Sequence, residues 1–299
     1  MVIFYLLPRF NYYKPKSLNE ALKLLNDLEN SKVLAGGTDL VLDMKIGRYK
    51  PENVIDISHL NELKYIKDDG KSIRIGAGTT LQTILESNIV RKKIPVLAEA
   101  LEIMGSWQLR NVATIGGNLC NASPAADTAP PLMVLEAQLK LESIEGARYV
   151  PITKFFHGPR ITELKRNELL TEIIIPYPPS NAGMKFLKLG RRAAHTLSIV
   201  AVATLITIKD DKFDIVRIAL NSVAPTPLRA YKTEESLKDK PINLNVIEEN
   251  VKRVAEEIKP ISDVRASAEY RKEMSIVLTR DAILESLKML NVKIGGEEF

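Results

Sequence analysis

The chain has 299 residues, about twice a typical single domain, with 45% hydrophobic and 26% charged residues. This composition excludes a disordered or fibrous chain and predicts two or three packed units. The net charge of +5 is spread along the sequence with no basic arm, so nucleic-acid binding is not expected; the single cysteine, Cys120, excludes a disulfide framework and any iron–sulfur cluster ligated by this chain alone, and suits a cytoplasmic protein.

The apolar start, Met1 to Leu7, has no cationic segment ahead of it and meets Pro8 and Arg9 at once, so no signal peptide is expected. Ser17-Leu18-Asn19-Glu20 reads as a capping box opening a helix with Leu22, Leu24, Leu25 and Leu28 on it. Short strands are predicted over Ser31 to Leu34 and Asn53 to Ile57, a small β/α unit. From Leu63 the pattern changes to a hairpin, Tyr65-Ile66 against Ile73 and Ile75 around Asp68-Asp69-Gly70. Thr80 caps a helix over Leu81 to Glu86, and Pro95 to Met104 is another. After an irregular stretch, Asn111 to Pro131, strands are predicted near Leu132 to Leu141 and Leu169 to Pro176. The cluster Pro176-Tyr177-Pro178-Pro179, with Asn181 and Gly183, marks a linker. Beyond it come strands over Met184 to Leu189, Leu197 to Ile208 and Phe213 to Leu220, then helices over Tyr231 to Leu237, Val246 to Ile258 and Ser267 to Leu290. The longest apolar run, Leu197 to Ile208, is shorter than the ~20 residues a bilayer requires, so no membrane span is expected.

Glycine is concentrated between Gly36 and Gly117, where special backbone geometry is therefore expected. Ala35-Gly36-Gly37-Thr38-Asp39 directly follows a strand; paired glycines let successive amide N–H groups approach an anion such as a pyrophosphate, or simply make a tight turn. Thr114-Ile115-Gly116-Gly117-Asn118 repeats the pattern and leads into Ser123-Pro124-Ala125-Ala126-Asp127. Two such turns suit a long diphosphate cofactor held from two sides. Gly76-Ala77-Gly78-Thr79-Thr80-Leu81 imitates a dinucleotide fingerprint but has Leu81 where the third glycine belongs. His59, His157 and His195 lack metal-ligand spacing, and Cys120 reads as a small packing residue more readily than as a flavin-linking thiol. The stripe Ile247, Val251, Val254 and Ile258 is core, with Glu248, Lys252 and Glu256 facing solvent.

Five segments, in order, carry a resemblance. They are Ala35 to Leu40, Thr114 to Asn118 with Ala122 to Asp127, Lys188-Leu189-Gly190-Arg191-Arg192, Ser222-Val223-Ala224-Pro225-Thr226-Pro227, and Asp263-Val264-Arg265-Ala266-Ser267-Ala268-Glu269-Tyr270-Arg271. Together they resemble the FAD-binding (medium) subunit of the molybdenum hydroxylases, the family of carbon monoxide dehydrogenase, xanthine dehydrogenase and archaeal aldehyde or glyceraldehyde oxidoreductases. The resemblance implies an α+β fold: a vanillyl-alcohol-oxidase-type FAD-binding fold of two N-terminal subdomains, 1–60 and 61–178, plus a C-terminal domain of antiparallel sheet and helices, 179–299. It implies non-covalent FAD, with Leu34, Ala35, Gly36, Gly37, Thr38, Asp39 and Leu40 wrapping the diphosphate and Thr114, Ile115, Gly116, Gly117 and Asn118 holding it from the other side. Asp127 would accept hydrogen bonds from cofactor hydroxyls, and Met104 and Leu170 would line the pocket with apolar atoms. Lys188, whose spacing from the arginine pair varies among relatives, is the last of the set.

The implied function is electron transfer. A large molybdopterin subunit oxidises the substrate, a small [2Fe-2S] subunit relays electrons, and FAD on this chain passes them to an external acceptor, with no catalytic residue or metal of its own. An aldehyde of the glyceraldehyde kind or carbon monoxide is the expected substrate, and a dimer of heterotrimers the expected assembly. The alternative is a self-contained FAD-dependent oxidase or reductase of the same broad fold, which requires an acid or base in a substrate pocket of the C-terminal domain.

Overall fold

In the computed structural model, residues 6–192 and 195–292 are described; the first five residues of the apolar start lie outside them. The chain opens as a parallel three-stranded sheet in the order β1 (Asn11–Tyr13), β3 (Asn53–Asp56), β2 (Ser31–Leu34). Helix α1 (Leu18–Asp27) crosses between β1 and β2 and buries Ala21, Leu22 and Leu25 against Ile55, Ile57, Leu60 and Leu63. Ser17 is its N-cap, as predicted, and only the reciprocal bond of the capping box is displaced by one residue. Ser17 Oγ accepts from the Glu20 amide (3.2 Å), but Glu20 Oε2 accepts from the amide of Lys16 (2.7 Å). Helix α2 (Leu40–Lys45) follows β2.

The middle of the chain is an antiparallel sheet, β4 (Ile66–Asp68), β5 (Ser72–Gly76), β10 (Leu169–Pro176), β6 (Gln138–Ser143) and β7 (Gly146–Pro151), in that order. Packed on it are α3 (Leu81–Glu86), α4 (Asn88–Lys93), α5 (Pro95–Glu102), α6 (Trp107–Val112), α7 (Ile115–Cys120) and α8 (Ala129–Val134); a small hairpin pairs β8 (Phe156–Gly158) with β9 (Ile161–Thr162). Two expectations are corrected here. The strand predicted from Leu132 starts only at Gln138, because Pro130 and Pro131 fit the first turn of a helix and all six residues of α8 are buried. An apolar run buried on every side has no period that separates strand from helix. The stretch Asn111 to Pro131 likewise holds the end of α6, all of α7 and the first half of α8.

Past Pro176 to Gly183 the chain forms a second antiparallel sheet, β11 (Gly183–Gly190), β12 (Ser198–Lys209), β13 (Lys212–Asn221) and β14 (Leu228–Arg229). The longest apolar run of the sequence is β12, whose first ten residues are all buried. Ala201, Ala203 and Leu205 face the middle core, while Val200, Val202 and Ile206 face a second core. A strand covered on both faces reads as continuous apolar sequence, without alternation. On one face lie α5 and α8; on the other lies the long α12 (Ala268–Met289), with α9 (Tyr231–Leu237), α10 (Leu244–Val251) and α11 (Val254–Glu257) beside it. The predicted helix over Val246 to Ile258 is thus two short helices broken at Lys252 and Arg253. The result is an α+β architecture. Among the described residues no helix is long and apolar enough to cross a membrane.

Candidate cofactor-binding site

Strand β2 ends at Leu34, and the segment Ala35 to Asp39 leaves the carboxyl end of a parallel sheet, where α/β units gather their ligands. Gly37 has φ +71°, the left-handed conformation that glycine adopts at no cost. A Cβ on Gly36 would overlap the carbonyl of Val112. Among the described residues no main-chain carbonyl accepts from the amides of Gly36, Gly37, Thr38, Asp39 or Leu40. Five successive amides free of main-chain acceptors are donors available to an anion such as a diphosphate. Desolvation raises the pKa of Asp39 although its outer edge meets solvent; Asp43 adds to the rise, against Arg160 and Asn121.

The second glycine pair is not a loop. Thr114 is the N-cap of α7, its Oγ1 accepting from the amide of Gly117 (3.1 Å), so Gly116 and Gly117 lie in the first helical turn. The remaining amides are taken as well: Ile115 donates to Thr79 O (3.1 Å), Gly116 to Ala77 O (2.9 Å) and Asn118 to Thr114 O (3.0 Å). This segment therefore offers a ligand its surface and side chains, and not the row of amides expected from the sequence. Gly116 is required for packing, since a Cβ there would come within 2.7 Å of Ala77 Cβ. Gly117 is exposed, and a Cβ on it would meet only Thr114 Oγ1. The stretch Gly76 to Thr80 is the strip on which α7 docks, with Thr80 bridging to Thr114, and its glycines accommodate the Leu63 carbonyl.

The two glycine segments lie side by side. Gly36 abuts the carbonyl of Val112, two residues before Thr114. Arg160, itself left-handed at φ 64°, braces them further: its guanidinium reaches Asp43 Oδ2 on α2 (2.5 Å) and Asn121 Oδ1 at the end of α7 (3.1 Å), and its amide donates to Ala122 O (2.9 Å). Arg48 pairs with the other side of Asp43. Met104 is half-buried after α5, whereas Leu170 is buried in the middle core on β10, which α7 packs against.

Asp127 is only 4% exposed, yet ionisable. Its Oδ2 accepts from Lys188 Nζ on β11 (2.7 Å), and its Oδ1 from Ser198 Oγ on β12 (2.6 Å) and Asn221 Nδ2 on β13 (3.0 Å). Three adjacent strands thus supply one carboxylate, and the charges of Asp127 and Lys188 are buried as a pair, as buried charges must be. Sequence reasoning missed Ser198, Asn221 and Arg160; only Asn221, adjoining the Ser222 to Pro227 segment, carries a local signal. Burial pushes the Cys120 thiol up to about 12, so it stays protonated and inert, the behaviour of a packing residue. A hollow of about 790 Å³ opens elsewhere, beside α9 and α10. The buried acid lining it, Glu234, is engaged by Arg229 Nε (2.5 Å) and Nη2 (2.7 Å) and by the Ile218 amide (2.8 Å).

Comparison with known proteins gives a consistent picture. The model of the FAD-binding domain in molybdopterin dehydrogenase matches residues 8–178, and that of the CO dehydrogenase flavoprotein C-terminal domain matches residues 185–286. The glyceraldehyde dehydrogenase medium chain of Sulfolobus acidocaldarius is 36% identical over 278 residues, 93% of this chain and 98% of that one. The xanthine dehydrogenase FAD-binding subunit of Escherichia coli O157:H7 is 33% identical over 287 residues, 95% of this chain and 98% of that one. Among solved structures, a chain of carbon monoxide dehydrogenase from Hydrogenophaga pseudoflava lacking the Mo-pyranopterin moiety superposes with a TM-score of 0.92 at 33% identity, covering 95% and 99% of the two chains.

Proposed function

This chain belongs to the family of FAD-binding medium subunits of molybdenum hydroxylases, and from that premise we propose that it carries electrons from a [2Fe-2S] partner subunit to an external acceptor. Bound FAD supplies the redox chemistry. The chain's own residues bind and orient it. Gly36 to Leu40 direct their amides at the diphosphate, with Leu34 and Ala35 as the near wall. Thr114 to Asn118 hold it from the other side, where exposed Gly117 leaves room for the cofactor. Asp127 and Lys188 meet cofactor hydroxyls, and Met104 and Leu170 supply apolar contact. The observation that supports this reading is the contact between the two glycine-bearing segments, with five successive amides free of main-chain acceptors on one of them.

The assembly we infer is a dimer of heterotrimers in the cytoplasm, each with a large molybdopterin subunit and a small [2Fe-2S] subunit. Its substrate is an aldehyde of the glyceraldehyde kind or carbon monoxide; the named functions of the relatives support this range. The chain divides into units 1–60, 61–178 and 179–299, each supported by an apolar cluster centred on it, although the middle cluster extends onto Ala201, Ala203 and Leu205 of the third unit and the first takes in Leu63 and Leu169. Engagement of Glu234 by Arg229 weighs against a self-contained oxidase using that hollow as its substrate pocket. The test is the cofactor itself. Denaturing the purified yellow chain is expected to release FAD and no FMN; a colourless chain that takes up no FAD on reconstitution would overturn the reading.

A further inference from the structure

The segment Asp263 to Arg271 lies outside the glycine segments of the candidate cofactor site, yet its arginine reaches toward that site. Arg271 is 3% exposed, and one nitrogen of its guanidinium, Nη1, donates to two carbonyls, Ile199 O in β12 (2.7 Å) and Ser222 O just past the end of β13 (2.9 Å). The other, Nη2, donates to Asp263 Oδ1 (2.8 Å), whose second oxygen is held by Arg265 Nη1 (2.8 Å).

Both carbonyls sit beside donors to Asp127. Lys188, Ala201 and Asn221 are directly opposite one another across β11, β12 and β13, so their side chains share one face. The small Ala201 in the middle leaves the notch into which the Asp127 carboxylate descends between Lys188 and Asn221. By strict alternation Ser198 belongs on the other face from Ala201. It does not stay there, because β12 carries one extra residue. Leu189 pairs with Val200 but Gly190 pairs with Ser198, leaving Ile199 as a bulge. A bulge shifts the side-chain parity by one and re-aims what precedes it. Ser198 therefore turns onto the Asp127 face, and the carbonyl of the bulged residue is one of the two that Arg271 holds. The second, Ser222 O, follows Asn221 directly. Ser222 is left-handed (φ 65°), and its amide donates to Pro124 O (2.8 Å) on the segment that carries Asp127.

We propose that Arg271, anchored by Asp263, is a positioning residue for the cofactor site: it pins the Ile199 bulge and the Ser222 turn, which aim Ser198 and Asn221 at the Asp127 carboxylate. The inference rests on the reading that Asp127 meets the cofactor, and the experiment separates the two. FAD is titrated into the full chain with flavin fluorescence as the signal, and the apoprotein's circular dichroism and melting are followed in parallel. Asp127→Asn is expected to weaken FAD binding; if it binds as the parent chain does, that reading falls and this proposal with it. Ser198→Ala is expected to weaken binding roughly tenfold, about the loss of one hydrogen bond to a charged group. Ser198→Thr, which restores the hydroxyl, should recover most of that loss, a rescue that a purely structural role for Ser198 would not give. Arg271→Lys keeps the charge but cannot span two carbonyls and a carboxylate, and should act in the same direction as Ser198→Ala. Asp263→Asn, at a half-exposed carboxylate, relaxes the same brace more gently if Arg271→Lys folds poorly. Because both act through one carboxylate, the double variant Ser198→Ala/Arg271→Lys should lose far less than the product of the single effects. Weakened binding in Asp127→Asn but parental binding in Ser198→Ala, Arg271→Lys and Asp263→Asn would overturn the proposal alone, as would multiplying effects in the double variant.

Discussion

Gly36 and Gly37 are neighbours in sequence and glycine for different reasons: the first lets the Val112 carbonyl approach, the second takes a left-handed φ. Gly116 and Gly117 divide the same way between packing and access. Neither has a positive φ, and Gly117 is exposed, but a Cβ there would meet the cap hydroxyl Thr114 Oγ1 at 2.9 Å, so a side chain disturbs part of the cap of α7. If the FAD diphosphate lies against that face, Gly117→Val removes volume the cofactor needs. FAD affinity is expected to fall about a hundredfold, equivalent to ~2.7 kcal/mol, while circular dichroism stays near the parent spectrum and stability falls by no more than the loss of the Thr114 cap, about 1 kcal/mol. A folded variant with parental FAD affinity would remove Thr114 to Asn118 from the site.

Among the elements, α12 owes its placement to its first turns. Ser267 Oγ caps it at the amide of Tyr270 (3.1 Å), and Arg271 in its next turn joins it to both inner strands of the second sheet. Burial works against ionising Asp263, but the Arg265 amide and guanidinium and the Arg271 guanidinium outweigh it and hold the carboxyl at about 2, below its ordinary 3.8. A lowered folded-state value means that between these limits the unfolded chain binds the proton more tightly. The stabilisation is therefore complete above about pH 4 and lost as the pH falls toward 2. Urea midpoints for the parent chain and Asp263→Asn are expected to differ at pH 6, to approach one another below about pH 4 and to converge only below about pH 2. A gap that stays constant with pH would show that Asp263 contributes nothing through its charge.

For the whole molecule, the second sheet is the joint. One face completes the middle core, the other covers α12, and its upper strand ends deliver Lys188, Ser198 and Asn221 to Asp127 from the preceding unit. The single cysteine cannot supply the four ligands of an iron–sulfur cluster, so a cluster held by this chain alone is excluded. The purified chain, loaded with FAD, is accordingly expected to turn over no aldehyde, purine or carbon monoxide unless the molybdenum and iron–sulfur partners are added. Steady substrate oxidation by this chain alone would refute the assignment as an electron-transfer subunit.

The sequence by itself determined the helix caps at Ser17 and Thr80, the three long strands of the second sheet and the two glycine segments, because each is set by local periodicity, hydroxyl caps or glycine itself, whereas the α+β class followed from the family resemblance. Thr114 could cap a helix as readily as flank a turn. Only the packing of α7 on Gly76 to Thr80 decided between them, by supplying acceptors for its amides. The helix at Ala129–Val134 was hidden because complete burial erases the period that would reveal it. The roles of Ser198, Asn221, Arg160 and Arg271 were decided by tertiary structure alone. Each acts on a partner more than 35 positions away, and for Ser198 a single bulged residue determines which face its hydroxyl reaches.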